Sequence, residues 1–222
     1  MGKPFSQTGL DRALPHIRIL MEKRDTSVYP KCELPAGYHF SHYKPGFERL
    51  WAAVQCDVEH ADTLENAEAA FKNEFLGAEN TPRYKALTEK MLFIMDADDD
   101  LAGTGAIWDG DTFGEVFQQV HWIAVASKHQ NKGLSKSLLS GLLDIYNALG
   151  YGGYIYLSSQ TWSYKAINVY MKFGFRPYMG VQPANWRSVN MVSGNYEPWD
   201  YAEKNAEAWK IINNKIRQYN AM

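Results

Sequence analysis

The chain has 222 residues, of which 45% are hydrophobic, 14% aromatic and 22% charged, the composition of an ordinary folded domain. Its 23 basic and 25 acidic side chains give a net charge of −2, which argues against binding to nucleic acid or an anionic membrane through excess positive charge. Two cysteines, Cys32 and Cys56, are too few for a disulfide framework or a multi-cysteine zinc site. We therefore expect a cytoplasmic protein with no signal peptide, no membrane span and no nucleic-acid or membrane partner.

No internal repeat, low-complexity linker or Gly/Ser-rich stretch marks a boundary in the chain, so we predict a single domain over residues 1–222. Within it we expect an N-terminal arm at 1–35, a core at 36–180 and a C-terminal strand and helix extension at 181–222. The extension either covers the functional site or forms a subunit interface. A homodimer is therefore one of the assemblies that we consider.

The first third of the chain is predicted to contain two strands followed by two helices. Short apolar or alternating runs indicate strands at 16–22 and 38–43. The segment 62–65 resembles a capping box at the start of the second helix. The apolar residues that repeat at helical spacing, and so are expected to face the core, are Phe47, Leu50, Trp51, Val54 and Val58 in the first helix and Leu64, Ala67, Phe71 and Phe75 in the second.

The middle of the chain is predicted to form an antiparallel meander. Runs of apolar or alternating residues at 91–95, 103–108 and 115–126 are separated by Asp-rich and Gly-rich turns. A polar loop at 127–132 follows, and then a helix that ends at Gly150. A strand, a polar loop containing glycine and a helix form the arrangement that commonly binds phosphate.

The last third alternates between the two kinds of element. Strands are predicted at 154–159 and 175–179 on either side of a helix at 162–173, and the tail contains a candidate strand at 189–192 and a helix at 202–219. An antiparallel first part followed by a strand-helix-strand-helix-strand order indicates a mixed α/β (α+β) fold. It does not indicate a doubly wound parallel sheet.

Several common catalytic signatures are missing from the sequence. It contains no G-x-x-x-x-G-K-[ST], no H-E-x-x-H and no G-x-S-x-G motif, so nucleotide hydrolysis, zinc proteolysis and serine hydrolysis lose their support. His39 and His42 would lie on opposite faces of an alternating strand. The aspartates at 96, 98, 99 and 100 are typical of a solvated turn. We therefore expect no metal.

The loop before the helix that ends at Gly150 has the composition of an anion site. Gly133 and Ser135 allow a ligand to approach the backbone closely, and unpaired amides of residues 131–136 at the positive end of the helix can hold a pyrophosphate. Lys132 and Lys136 add positive charge. A glycine at a helix start is also ordinary turn chemistry, so this loop alone leaves both interpretations open.

The residues around this loop form a more specific pattern than the loop alone. The stretch Trp122–Leu139, followed by Tyr156–Ser158 and Ala166–Phe175, closely resembles the GNAT superfamily of acyl-CoA N-acyltransferases. Both signatures of that family, a Q-x-x-G-x-[GAS] loop and an A-x-x-x-Y-x-K-x-G-F helix, are present in order and at the usual spacing. The resemblance covers residues 36–180. It implies a GNAT-type fold, in which helices flank a central, mostly antiparallel sheet containing one splayed parallel strand pair.

The resemblance implies acetyl-CoA as cosubstrate and no metal. The pantetheine arm would pair like an added strand with the exposed backbone of Ile123, Ala124 and Val125. The pyrophosphate would bind the amides of Asn131, Lys132, Gly133, Leu134, Ser135 and Lys136. Ser163 stands where family members often have a CoA-contacting asparagine, and a hydroxyl can also donate and accept a hydrogen bond.

The resemblance also implies a base, because an alkylamine of pKa about 10.4 is almost fully protonated near neutral pH. Family members place a Glu or His at the positions of Gln119 or His121, and Gln119 cannot titrate, so His121 is the candidate base. A structural histidine hydrogen-bonded within the sheet is the alternative. Glu115 is the alternate base. Strict alternation along the strand would place His121 and Ile123 on one face and Trp122 on the other.

Tyr170 occupies the tyrosine position of the family, where its hydroxyl would protonate the departing CoA thiolate. The alternative is a core tyrosine whose hydroxyl lies at the rim. A backbone amide, that of Ile123 or Val125, would meet the oxyanion that develops on the carbonyl.

The resemblance therefore implies an N-acetyltransferase that moves an acetyl group from acetyl-CoA to a primary amine by direct attack in a ternary complex. We expect a small-molecule acceptor. The alternatives are a protein N-terminal or lysine acetyltransferase, which would have an open groove instead of a walled pocket, and a non-catalytic CoA-binding module. The acceptor and the preferred acyl-chain length stay open.

Overall fold

The computed structural model describes residues 9–77, 83–186 and 201–221. The described strands are β1 (Arg18–Lys23), β2 (His39–His42), β3 (Met91–Met95), β4 (Leu101–Gly110), β5 (Phe117–Val125), β6 (Ile155–Gln160) and β7 (Arg176–Pro177). The described α-helices are α1 (Phe47–Asp57), α2 (Leu64–Phe71), α3 (Tyr84–Lys90), α4 (Leu134–Ala148), α5 (Tyr164–Lys172) and α6 (Tyr201–Asn220). The candidate strand at 189–192 lies outside the described residues.

The strands form a sheet in the order β2-β3-β4-β5-β6-β1-β7. β3 and β4, two strands of the predicted meander, pair in an antiparallel register, and β2 pairs antiparallel with β3. β5 and β6 form a parallel pair at Gln118↔Ile155 and Gln119↔Tyr156. The predicted mixed α/β fold is therefore confirmed.

The chain forms two compact units, and each is built from segments that are separated in the sequence. Of the described residues, unit A contains 29–77, 83–108 and 120–152, and unit B contains 9–28, 109–119, 153–186 and 201–221.

Unit A has helices on both sides of its strands. On one side, α1 and α2 pack against alternate side chains of β3 and β4, and the cluster includes Trp51, Phe71, Phe93 and Ala106, all fully buried. On the other side, α4 lies so close that a Cβ on Gly105 of β4 would be 2.9 Å from Leu142 Cδ1. Small residues therefore set the distance between this helix and the strands.

The first two predicted helices are confirmed, but two of the residues expected to be buried are exposed. Leu50 and Leu64 are 37% and 39% exposed, so they do not face the core as expected, whereas Phe71 and Phe75 are fully buried. The side chain of Thr63 caps α2 by accepting a hydrogen bond from the Asn66 amide at 3.1 Å. Helical spacing placed Leu50 and Leu64 on the face expected to be buried. Their exposure shows that each lies at the border of the helix face that the sheet covers.

Two further elements precede the meander: a π-helical turn, where the spacing up to Phe75 predicted a continuous helix, and a helix that no spacing predicted. α2 continues into a π-helical turn at Lys72–Leu76, in which the Gly77 amide donates to the Lys72 carbonyl at 3.1 Å. Helix α3 then leads directly into β3. The expectation of two helices before the sheet is therefore wrong, because α3 is a third.

Gly141 of α4 allows us to test the close packing on the sheet. A Cβ at this position would lie 2.7 Å from Leu92 Cδ2 and 3.3 Å from Phe40 Cζ. Gly141→Val should therefore lower the free energy of unfolding by about 1–3 kcal/mol through overpacking, measured by urea titration. Gln218→Val on the exposed side of α6 should change it by about 0.5 kcal/mol or less, and equal losses in both variants would contradict the packing argument.

Unit B places an N-terminal strand inside its part of the sheet. β1 pairs antiparallel with β6, with Leu20 opposite Ser158, and antiparallel with β7, with Met21 opposite Pro177. β1 comes from the segment that we expected to be an arm, yet it lies between two strands that follow α4 in the chain. All six of its residues pair with β6, and Met21 and Glu22 also pair with β7.

Helix α6 packs back on the rest of unit B. Asn205 donates to the Tyr178 carbonyl at 3.0 Å, and Asn168 of α5 donates to the Asn220 side-chain oxygen at 2.9 Å. Tyr201 lies in an aromatic cluster with Tyr156. The predicted tail helix at 202–219 is therefore confirmed.

Candidate acetyl-CoA site

In unit A, the backbone bends sharply between β5 and α4. A short 3₁₀ turn at Ser127–His129 precedes the loop, and α4 begins at Leu134 with Gly133 as its N-cap residue. Gly133 has φ 87° and Asn131 has φ 63°, both in the left-handed region. Glycine and asparagine adopt this region more easily than other residues, so the loop sequence suits its shape.

This bend leaves a group of backbone amides open at the start of α4. Within the described parts of the chain, the N–H groups of residues 131–135 donate to no backbone carbonyl, and the first such bond is from Lys136 to the Gly133 carbonyl at 2.9 Å. A Cβ built on Gly133 would meet no atom within 4 Å. Open amides, the positive end of a helix and unobstructed space together suit a phosphate anion.

The side chains around the loop hold it in place and add positive charge. The side-chain Nε2 of Gln130 donates to the Val125 carbonyl at 3.1 Å. Lys132, which is exposed, donates to the Tyr38 hydroxyl at 3.0 Å, and the same hydroxyl lies 2.9 Å from Nδ1 of buried His129. Burial lowers the pKa of His129, which favours its neutral form. The positive charge beside the amides therefore comes from the lysines, as the sequence predicts.

β5 contains a local irregularity at Trp122. This residue has φ 49° inside a strand, which is typical of a β-bulge and interrupts the alternation of side chains. The His121 and Trp122 rings are 5.8 Å apart, and both contact aromatic rings on the α1 and α2 side. The Ile123 side chain, in contrast, points to the α4 side, because its Cγ1 would lie 3.0 Å from a Cβ on Gly105. The prediction that His121 shares a strand face with Ile123, and that Trp122 lies on the opposite face, is therefore wrong.

The backbone after the bulge has one edge turned away from β4. The Ala126 amide donates to the Ala102 carbonyl of β4 at 2.9 Å, and the Ala124 carbonyl is 3.2 Å from the Cβ position of Gly103. Backbone groups of successive residues alternate in direction along a strand, so those of Ile123 and Val125 face away from β4. The resemblance assigns the backbone of this segment to the pantetheine arm, and the amide of Ile123 or Val125 to the oxyanion.

His121 has a partner that the sequence did not indicate. Its Nε2 lies 2.9 Å from Oε1 of Glu74, which is located in the π-helical turn. The His121 side chain is 20% exposed and that of Glu74 is 38% exposed. The hydrogen bond from His121 lowers the pKa of Glu74, so this carboxyl is ionised near neutral pH. No motif surrounds Glu74, and only its approach to β5 identifies it.

Glu115, the alternate base, does not lie on a strand. It is exposed in the turn before β5, which begins at Phe117. The predicted start of this strand was two residues too early.

Unit B carries the two remaining residues of the predicted site. Tyr170 lies on α5 and is half-buried, with its ring 6.3 Å from that of Phe175, and burial raises its pKa to about 12. Ser163 is the N-cap residue of α5, where its hydroxyl accepts a hydrogen bond from the side-chain Nε2 of Gln160 at 3.0 Å. Its hydroxyl hydrogen stays available for donation to a ligand.

The described residues offer little for other kinds of site. Over 9–77, 83–186 and 201–221, no group of three or more His, Cys, Asp or Glu side chains could hold a metal ion. None of the helices in these ranges is both long and apolar enough to cross a membrane. Cys32 and Cys56 both carry free thiols.

Three solved structures have a similar fold at low sequence identity. A GCN5-related N-acetyltransferase from Sphaerobacter thermophilus is 20% identical, with a TM-score of 0.55 over 73% of this chain and 49% of that chain. A GNAT-family acetyltransferase from Colwellia psychrerythraea is 14% identical, with a TM-score of 0.54 over 72% and 53%. A tandem GNAT protein from the clavulanic acid biosynthesis pathway is 14% identical, with a TM-score of 0.51 over 73% and 50%. The chain thus spans about half the length of these proteins.

A search of curated proteins found no match. The model of the acetyltransferase (GNAT) family, in contrast, matches residues 47–175, which is more than half of the chain. This range contains the amide loop, the bulged strand and Tyr170. The chain therefore belongs to the GNAT acetyltransferase family.

Proposed function

We propose that this protein transfers an acetyl group from acetyl-CoA to the primary amine of a small molecule. The observation that carries the proposal is the open amide loop before α4, which is reached through clear space at Gly133.

The residues of unit A would bind the cosubstrate in two places. The amides of 131–136 would hold its pyrophosphate, with Lys132 and Lys136 adding charge. The outward backbone of Ile123 and the amide of Val125 would pair with the pantetheine arm, and one of these two amides would donate to the developing oxyanion. The expectation for Ala124 is corrected, because its carbonyl faces Gly103 of β4, and the Val125 carbonyl already accepts from the Gln130 side chain. The resemblance implies one further hydroxyl contact, from Ser163. Bound in this way, acetyl-CoA supplies an activated acyl group as a thioester.

His121 would make the acceptor amine reactive. Deprotonating an alkylammonium of pKa about 10.4 near pH 7 costs about 4.6 kcal/mol, and only the neutral amine has a lone pair for attack. His121 accepts that proton, directly or through one water, as the new C–N bond forms and the C–S bond breaks. The proton lost by the nitrogen thus resides on the imidazole, and the electron pair of the broken bond stays on sulfur.

Tyr170 would stabilise the thiolate that leaves. A thiol has a pKa of about 8.5, so full proton transfer from a tyrosine with a pKa of about 12 is uphill by about 5 kcal/mol. Burial therefore makes Tyr170 a hydrogen-bond donor to the thiolate, and the final proton on sulfur comes from solvent. This differs from the proton donation that the resemblance implies for the family tyrosine.

Replacing Tyr170 by phenylalanine tests this role. A hydrogen bond to a charged group contributes about 1.5–3 kcal/mol, so Tyr170→Phe should lower kcat about 10- to 100-fold. Tyr170 stays protonated well beyond neutral pH, so the ratio of parent to variant kcat should be constant between about pH 7 and pH 10. Tyr219→Phe, on the exposed side of α6, is the control and should change nothing. An unchanged kcat in Tyr170→Phe would remove the assignment.

The small acceptor is supported by the position of His121. Its side chain is only 20% exposed, between the Phe75 and Trp122 rings and beside Glu74. A small amine can reach such a recessed group more easily than a side chain on the surface of a folded protein. The cytoplasmic location suggested by the free cysteines stays a prediction.

The test is the release of free CoA from acetyl-CoA, followed with a thiol reagent across amines, amino acids, polyamines and peptides, with a no-acceptor control. Release with a small amine supports the proposal, and release with peptides alone favours the protein acetyltransferase. Calorimetric titration with acetyl-CoA accompanies the assay. Binding without release from any acceptor would favour a CoA-binding module, and absence of binding would overturn the proposal.

A further inference from the structure

The contact between His121 and Glu74 identifies which nitrogen of the imidazole carries the proton. Oε1 of Glu74 lies 2.9 Å from Nε2 of His121. The pKa of Glu74 is below its usual value, so near neutral pH its carboxylate can only accept hydrogen bonds. The Nε2 atom must therefore be the donor. In neutral imidazole the other nitrogen, Nδ1, then has the free lone pair.

We propose that Glu74 is a positioning residue that holds His121 in the Nε2–H form and thereby makes Nδ1 the atom that takes the proton from the acceptor amine. This inference rests on the proposed function, because it assigns the base within that reaction. It adds a residue from the segment before α3, which neither family signature includes.

The π-helical turn is what brings Glu74 to β5. Its neighbour Phe75 is fully buried, with its ring 5.9 Å from that of Trp51 and 4.9 Å from that of Trp108. The anchored Phe75 fixes the backbone next to Glu74, and the extra residue of a π turn changes the direction of the side chains around it. Such turns occur frequently at functional sites.

The His121 ring is held from its other sides by aromatic groups. The Phe75 ring lies at 6.1 Å and the Trp122 ring at 5.8 Å. The His60 ring is 6.2 Å from that of Trp122, and Lys90 Nζ is 5.8 Å from the Trp108 ring, which packs on Phe75. The ion pair recorded for His121 among the described residues is the one with Glu74.

The pair also stabilises the product of proton transfer. When the amine proton moves to Nδ1, both ring nitrogens carry hydrogen and the ring becomes an imidazolium with Glu74 as its counter-ion. The proton then leaves Nδ1 for solvent, and the Nε2–H form returns. Glu74 itself touches neither substrate, and its charge acts through His121.

Three variants separate the charge of Glu74 from its hydrogen bond. Glu74→Gln keeps size and hydrogen bonding, but its amide can donate as well as accept, so it no longer selects one nitrogen. Glu74→Asp keeps the charge with a shorter reach, and Glu74→Ala loses both. Glu68→Gln, exposed on α2, is the matched control. Thermal unfolding of each variant reports on folding.

In kinetics, we expect kcat/KM near pH 7 to fall about 10-fold in Glu74→Gln and about 100-fold in Glu74→Ala. Glu74→Asp, which keeps the carboxylate, should lose less activity than Glu74→Gln. A purely structural hydrogen bond, which the Glu74→Gln side chain can still make, would leave kcat/KM of that variant at the parent value, and that result would overturn the inference.

The second measurement needs no activity. In ¹⁵N-labelled protein without ligand, NMR of the His121 ring should show the Nε2–H form, and Glu74→Ala and Glu74→Gln should shift it toward a mixture. An Nδ1–H form in the parent protein, or an unchanged form in both variants, would overturn the inference even in an active enzyme. If the expected NMR pattern is found but no acceptor releases CoA, then the proposed function fails and takes the catalytic part of the inference with it.

Discussion

Replacing His121 by glutamine is expected to lower kcat/KM near pH 7 by about 10²- to 10⁴-fold, the contribution of a positioned general base. Glutamine is chosen because its amide can still donate to Glu74 in place of Nε2, so the contact that is 2.9 Å long in the parent can be kept. The variant therefore removes the proton acceptor but can keep the hydrogen bond to Glu74. Thermal unfolding should change little.

The pH dependence separates the base from a structural histidine. As the pH rises toward the pKa of the amine, about 10.4, more acceptor is neutral without help and the base matters less. The ratio of parent to variant kcat/KM should therefore shrink between about pH 7 and pH 10. His39→Gln, an exposed histidine of β2, is the control and should keep full activity. A ratio that stays constant with pH would mean that His121 has a structural role.

Substituting Gly133 by alanine is expected to weaken acetyl-CoA binding about 10- to 100-fold, measured by calorimetry. The new methyl group would project into the open space in front of the amides, where the pyrophosphate is proposed to bind. The left-handed backbone at φ 87° also costs alanine about 1–2 kcal/mol in stability. These two effects must be distinguished.

Gly150 at the other end of α4 is the matched control. It has φ 74° and, like Gly133, nothing within 4 Å of a built Cβ. Gly150→Ala should lose similar stability and bind acetyl-CoA with unchanged affinity. Gly133→Asn, which tolerates the left-handed region better, should bind as weakly as Gly133→Ala. Parent-like affinity in a folded Gly133→Asn would disprove the phosphate-loop assignment.

The sequence predicted best where the cause is local. Turn chemistry identified the loop with Asn131 and Gly133, and both adopt the left-handed backbone that their residue types favour. Apolar runs predicted both ends of β3, and they predicted α4 as a helix that stops before Gly150. The bounds of such elements depend on hydrogen bonds between residues close in the chain and on the local periodicity of apolar side chains. A single sequence therefore contains the necessary information.

The sequence predicted less where burial on a helix face was at issue. Leu50 and Leu64 fit the helical period but are more than a third exposed. A period defines an apolar stripe, whereas the width of the covered part depends on the elements that pack against it.

By itself, the sequence determined the mixed fold, the amide loop and the candidate positions His121 and Tyr170, because these follow from local patterns and from the resemblance they carry. Only the tertiary structure decided the partner of His121, the side of β5 on which Trp122 lies, and the place of β1 between β6 and β7. Each of these depends on contacts between segments far apart in the chain. Their physical cause is the pairing of strands and packing of helices, including a bulge and a π turn that re-aim side chains, which no local periodicity specifies.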